Sequence, residues 1–321
     1  MSERLFGAKV RRREDPRLVT GRGRYVGDVA LPEMLHVALA RSPHAHARIA
    51  RIDAEAARRS PGVVHVMVPD DVAAYDRLPL LVPHSSLLDP ACPELLPREI
   101  VSYPGQGVAC VVAETAAQAE DALEALRIDY EILPAVASMD GALDGDGPRV
   151  HAGGNVAARY TQRVGDVAGG LAGAHVVIRE RFDLHRGAGM AMETRGIAAR
   201  WDGDLGQMTV WSTTQSPQIL RRILARYLGL GEHAVRVVTR DIGGGFGPKG
   251  IVYPEDVLIP LLARALGRPV RCLETRHEHL LAATQELRPS RGAQNPRALD
   301  THYDTIRRAM RGVFQELGLT A

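Results

Sequence analysis

Residues 241–250 read Asp-Ile-Gly-Gly-Gly-Phe-Gly-Pro-Lys-Gly, five glycines in ten positions, directly after the apolar run Ala234-Val235-Arg236-Val237-Val238. A strand that empties into main chain this bare is either a tight turn or a place where the backbone must touch something bulky, because glycine carries no Cβ. Gly245, Gly247 and Gly250 satisfy the pattern G-x-G-x-x-G. A dinucleotide loop, however, follows the first strand of its domain and gives its N–H groups to a pyrophosphate, whereas this loop lies late and Pro248 removes a donor. A kinase loop needs a lysine on a later strand, and none follows Lys249. A Walker loop needs Ser or Thr after its lysine, where Gly250 stands.

Working outward, Pro217 to Leu228 predicts a helix with Pro217 in the first turn, Ile219, Leu220, Ile223, Leu224 and Tyr227 on one face, and Gly229 in the left-handed closing position. A second helix is predicted from Pro254 to Leu266, closed by Gly267, with Glu255 and Asp256 at its positive end. Pro260 is expected to kink or split it. Strands are predicted at His175 to Phe182, Met208 to Trp211 and Val235 to Thr239.

In the first half, Leu35 to Leu39, a short helix at Asp53 to Arg59 and Val63 to Val68 read as a β-α-β unit. Val108 to Val112 then leads into a Thr115-capped helix reaching Leu126, and Ile128, Tyr130 and Ile132 alternate as a strand. The stretch from Pro83 to Pro104 has no period and reads as an excursion over the surface. Residues 135–154 turn to Gly, Asp and Ala and read as a linker.

Composition bounds the function classes. Forty basic residues face 38 acidic ones, scattered along 321 residues, so there is no electrostatic footprint for nucleic acid. No run approaches the roughly 20 apolar residues that span a bilayer, and the start lacks the apolar core of a secretory signal, so no membrane partner and a cytoplasmic location are expected. Cys92, Cys110 and Cys272 are too few and too widely spaced for a disulfide framework or a cysteine-rich metal site. His277-Glu278-His279 lacks the i, i+4 spacing of helical zinc ligands, and His44, His46 and His185 add no such pattern; solvated or core roles are expected and no metal ligand is assigned.

Three motifs in order carry a family resemblance. Gly243-Gly244-Gly245-Phe246-Gly247-Pro248-Lys249 resembles the GGGFGxK loop of the molybdenum hydroxylases, the xanthine dehydrogenase, aldehyde oxidase and aerobic carbon monoxide dehydrogenase family. Trp211 to Pro217 resembles that family's W-S-x-T-Q-x-P stretch, and Met192-Glu193-Thr194-Arg195-Gly196 its (M/L)-E-x-R-G segment. Val10 to Pro16, Gly21 to Asp28 and Arg41 to Ala47 are similar to the N-terminal region and hammerhead domain of the same family. The resemblance covers residues 8 to 285.

The resemblance implies an α+β fold: an arm at 1–19, a hammerhead domain at 20–134, the linker, and the first part of a mixed α/β molybdopterin-binding domain at 155–285. It implies a large subunit whose molybdopterin, often the cytosine dinucleotide form in bacterial members, hydroxylates aldehydes or N-heterocycles, or oxidises CO, with water-derived oxygen. Electrons would pass to [2Fe–2S] clusters and FAD on an iron–sulfur small subunit and an FAD-binding medium subunit. Carried over, Gln215 places its amide near an oxo ligand, and Gly244, Gly245, Phe246 and Gly247 bring main-chain N–H groups to the metal's apical side. Read alone, Gln215 is a polar residue flanking a helix, and Glu193 is expected to pair with a neighbour such as Arg195.

After Gln285 the likeness stops, and 286–321 reads as a divergent tail with an amphipathic helix at 300–317. The family's general-base glutamate lies in the region without a counterpart here, so no catalytic residue is assigned and a truncated subunit is expected. Apolar faces of the helices at 217–228 and 254–266 are then expected to be uncovered. The alternative is a non-catalytic fragment or module that docks on partner subunits, or on a separately encoded remainder of the large subunit.

Overall fold

The computed structural model describes residues 7, 9–79, 92–157, 164–178, 186–187, 189–283 and 286–287. The tail helix expected at 300–317, His185 and part of the expected strand at 175–182 lie outside them; His175 to Ile178 are described and are not strand.

In chain order the elements are α1 (Asp15–Leu18), β1 (Leu35–Arg41), β2 (Ala47–Asp53), α2 (Glu55–Arg58), β3 (Val63–Met67), β4 (Ile100–Val101), β5 (Gly107–Ala113), α3 (Ala116–Glu124), β6 (Arg127–Ile132), α4 (Met139–Leu143), α5 (Val167–Ala172), β7 (Arg186–Gly187), β8 (Gly196–Asp202), β9 (Gln207–Ser212), α6 (Pro217–Leu228), β10 (Val235–Val238), α7 (Pro254–Leu266), β11 (Val270–Leu273), α8 (Arg276–Ala282) and β12 (Glu286–Leu287). Helices and sheets mix throughout, as an α+β fold requires.

A seven-stranded sheet runs β10-β9-β8-β11-β1-β5-β3. Its seam joins the two halves of the sequence: β1 pairs parallel with β11, Leu35 opposite Val270 and Val37 opposite Cys272, and Leu35 N donates to Pro269 O at 2.7 Å. The expected β-α-β unit is more complex than read. β1 and β3 both flank β5 instead of each other, and β2 leaves for a second sheet with β4 and β6. β2 escaped the sequence reading because its register shifts between Ile49 and Arg51, which breaks the two-residue alternation in Ala-Arg-Ile-Ala-Arg-Ile-Asp.

Alternation along β5 sorts its two faces. Cys110 and Val112 join the large core with α6 and α7, while Val111 packs with Ala54, Ala57 and Ala122 of the α2 and α3 layer. Thr115 caps α3 as expected, accepting from Gln118 N. Leu95 and Leu96 are buried in the main core, so the described end of the 83–104 stretch is an anchor and not a surface excursion.

α6 begins at Pro217 and ends at Gly229, whose φ of 62° is the left-handed closing position. α7 ends likewise at Gly267, φ 63°, and is assigned as one helix through Pro260. The expected split does not occur; neighbours on every side, Val257 to Ala263 all buried, hold the helix together across the one missing N–H donor. The expectation of uncovered apolar faces also fails: Leu220, Leu224, Leu258, Ile259 and Leu262 are fully buried because α6 and α7 pack on each other and on the sheet. No helix among the described residues is long and apolar enough to cross a membrane.

Candidate functional site

β10 and its parallel neighbour β9 deliver two loops to the same end of the sheet. β9 runs into Thr213-Thr214-Gln215, and β10 into Asp241 and the glycine loop. The two are tied main chain to main chain, Gln215 N donating to Lys249 O at 2.8 Å. The Gln215 amide closes the contact: its Oε1 accepts from Gly247 N at 3.1 Å. A backbone N–H needs an acceptor, which fixes the oxygen on that side and leaves the amide NH2 without an acceptor among the described residues.

The glycines are required by contact. A Cβ at Gly245 would lie 2.4 Å from Gln215 Cδ, and one at Gly243 would lie 2.5 Å from Glu193 Cβ. Gly244 and Gly247 both have φ of 99°, and Phe246 sits at φ 54° and is 64% exposed. A phenylalanine in the left-handed region costs about 1 kcal/mol or more, so the surroundings over-determine it. Among the described residues the N–H groups of Gly244, Gly245 and Phe246 have no acceptor, whereas those of Gly243 and Gly247 are engaged. The loop thus offers three consecutive free main-chain donors beside a free amide, a donor set suited to an oxygen-rich ligand.

Glu193 corrects one expectation. It does not pair with Arg195; its Oε2 accepts from Gly243 N at 2.8 Å and from Lys249 Nζ at 3.3 Å, while Gly243 O accepts from Glu193 N at 3.0 Å. Lys249 is only 2% exposed, and burial pulls its pKa down against the opposing pull of Glu193. Glu193 Oε1 is buried and has no hydrogen-bond partner among the described residues, and neither has Arg276 Nη1, although Arg276 Nη2 donates to Met192 O at 2.8 Å.

Arg195 instead belongs to a buried ion network behind the loop. Its guanidinium donates to both oxygens of Glu274, at 2.5 and 3.1 Å, lies 3.5 Å from Glu255, and stacks 3.5 Å from the centroid of the Tyr253 ring. Arg41, from the end of β1, reaches Glu255 at 3.0 Å and Glu278 at 2.7 Å. Burial works against both cations, but the facing carboxylates outweigh it and raise both pKa values. Burial likewise works to raise the pKa of Glu255, yet Arg195 and Arg41 bring it down to about 2. Asp256 next to it is pushed up to about 6 by burial, even though Tyr253 N donates to it at 3.0 Å.

The histidines take the bland roles. His279 is buried, its Nδ1 3.0 Å from Glu274 Oε2; His277 is exposed; His46 Nδ1 donates to Pro134 O at 2.6 Å. Among the described residues no group of three or more His, Cys, Asp or Glu is placed to hold a metal ion. Sequence reading missed Lys249, Tyr253, Glu274 and His279 as supports of the loop. Lys249 carried one signal, being one of two lysines in an arginine-dominated chain; the others lie on separate elements with no shared spacing.

The comparisons agree in family. Residues 20–134 match the aldehyde oxidase and xanthine dehydrogenase a/b hammerhead domain, and residues 150–290 the molybdopterin cofactor-binding domain. The chain is 35% identical to the nicotine 6-hydroxylase large subunit of Paenarthrobacter nicotinovorans, over 88% of this chain and 35% of that one. It is 36% identical to the carbon monoxide dehydrogenase large chain of Afipia carboxidovorans, over 86% of this chain and 35% of the relative. Among solved structures it superposes on quinoline 2-oxidoreductase from Pseudomonas putida 86 with TM-score 0.79 and 40% identity, covering 87% of this chain and 36% of that one. Reconstituted CO dehydrogenase from Oligotropha carboxidovorans gives TM-score 0.80 at 34% identity, covering 88% and 36%. The chain therefore spans little more than a third of the length of these relatives. With its hammerhead, its glycine loop and its continuous sheet, it belongs to the molybdenum hydroxylase family, on the large, molybdopterin-binding side of those oxidoreductases.

Proposed function

We propose that this chain supplies one face of a molybdopterin site, with Gln215 and the Gly244 to Gly247 stretch as its contacts. One observation carries the reading: Gln215 Oε1 is fixed by Gly247 N, so the amide NH2 and the free N–H groups of Gly244, Gly245 and Phe246 are donors in search of oxygen. The residues fit such a group, since the bare main chain permits close approach and an amide donates to oxo oxygen. When bound, the cofactor supplies two-electron oxidation of a substrate carbon by the family's hydroxylation chemistry. This chain's own residues bind and orient. Gln215 and the loop donate hydrogen bonds, Phe246 presents an exposed aromatic face, and the Glu193–Lys249 pair keeps the loop ends together.

The cytosine dinucleotide form, and partner subunits carrying FAD and [2Fe–2S] clusters, belong to the same proposal; relatives named as subunits of larger enzymes support it. The test is pterin content. Expressed in a host that makes the cofactor, the chain should retain oxidisable pterin and molybdenum at well under one per chain, because it contributes one face only. Gly245→Val, which drives a side chain into Gln215, should remove that pterin. Equal pterin in wild type and Gly245→Val, or none in either, overturns the reading.

A further inference from the structure

We propose that Glu274 and His279 are positioning residues for the glycine loop, acting through Gly189, with Arg195 and Tyr253 forming a second arm of the same frame. The proposal rests on reading the loop as the cofactor-facing element, but its mechanical content belongs to this chain alone.

The first arm starts at the Glu274 carboxylate. Oε2 lies 3.0 Å from His279 Nδ1, and His279 Nε2 lies 3.4 Å from Gly189 O. Both ring nitrogens face acceptors, so the doubly protonated ring satisfies both contacts and the neutral ring only one. Gly189 in turn is packed into the loop: a Cβ there would meet Phe246 Cβ at 2.9 Å, Pro248 Cδ at 3.1 Å and Phe246 O at 3.2 Å. Moving Gly189 therefore moves, or releases, the residue held at a left-handed φ.

The second arm starts at the other oxygen. Glu274 Oε1 accepts from Arg195 Nη2, Arg195 stacks on Tyr253, and Tyr253 Oη donates to Pro248 O at 2.7 Å. One buried carboxylate thus reaches both sides of the Phe246 to Pro248 tip. Arg41, 3.7 Å from Glu274 and bonded to Gly105 O, brings the hammerhead half into the frame. An ion cluster this deep is weak evidence for stability by itself, because desolvation offsets the attraction. The role proposed for it is to hold a strained loop, whose left-handed residue persists only where its surroundings over-determine it.

The test is amide hydrogen exchange on the full chain without cofactor, read at Gln215, Gly247 and Gly250, whose N–H groups have acceptors in or beside the loop. His279→Leu and Tyr253→Phe should each speed exchange there on the order of tenfold, with the core amides of α6 and α7 unchanged. His279→Gln, whose amide can still donate to Gly189 O, should restore part of the protection. Tyr253→Phe removes one hydroxyl and keeps the proposal testable if His279→Leu does not fold. Unchanged loop exchange in both substitutions, or loop and α6–α7 amides rising together, overturns it. Failure of pterin binding by the wild type would sink the cofactor reading and leave this result standing.

Discussion

Oε2 of Glu193 accepts at once from Gly243 N, at 2.8 Å, and from Lys249 Nζ, at 3.3 Å, so one carboxylate clips the two ends of the glycine loop. The partners are unequally exposed, 1% for the lysine side chain and 17% for the glutamate. Removing the glutamate strands a buried ammonium. Glu193→Ala should cost about 3–5 kcal/mol in urea unfolding, and Lys249→Met less, since Glu193 Oε2 keeps the Gly243 N–H and the glutamate side chain is the less buried of the two. Equal losses would show that the asymmetry in burial does not matter.

Gly243 and Gly245 separate packing from positioning. The Cβ of Gly243→Ala would press on Glu193, including its backbone N at 3.1 Å, and should destabilise by about 1–3 kcal/mol. Gly245→Ala presses only on the flexible, exposed Gln215 side chain, so stability should hardly change while the Gly247 N–H loses its acceptor. Thermal melts and the amide exchange of Gly247 check the pair. A melt unchanged in Gly243→Ala would contradict the contact.

Asp256 and Glu255 pull the pH dependence of stability in opposite directions. Asp256, raised from its ordinary 3.8 to about 6, keeps a proton in the folded chain that the unfolded chain has released. Stability from this group therefore falls as pH rises through that interval and stays low above it. Asp256→Asn, whose amide oxygen still accepts from Tyr253 N, should raise the melting temperature near pH 8 and have little effect below about pH 4. A gain of equal size at both pH values would refute the assignment.

Glu255, lowered from its ordinary 4.5 to about 2, runs the other way: its contribution is complete above the ordinary value and is lost as pH falls toward 2. Glu255→Gln should cost several kcal/mol at neutral pH, about 3 or more, and almost nothing in strong acid. Melting curves of wild type and Glu255→Gln that stay parallel down to about pH 2 would show that the residue is unpaired in solution.

Sequence reading found what local chemistry signals. The caps at Thr115, Gly229 and Gly267, the apolar stripe of α6 and the alternation of Ile128 and Tyr130 in β6 depend on residues within a few positions of each other, and the structure has all of them, although Ile132, read as the next inward position, is exposed. It missed β8, whose continuous burial from Gly196 to Ala199 leaves no period to read, β11, which at four residues is too short to show one, and β2, whose shifted register hides one. It mispaired Glu193 because Arg195 is close in sequence, whereas burial and backbone geometry bring Lys249, 56 residues away, to the carboxylate.

By itself the sequence determined the family's motifs, the helix limits and the bare main chain between Gly243 and Gly247, since each is written in residue type and short spacing. Only the tertiary structure decided that β1 would lie beside β11, that Gln215 would turn its oxygen to Gly247, and that Arg41, Arg195, Glu255, Glu274 and His279 would share one buried frame. Such meetings depend on which faces are buried together, because desolvated charges and unpaired N–H groups accept few partners and those partners come from distant parts of the chain.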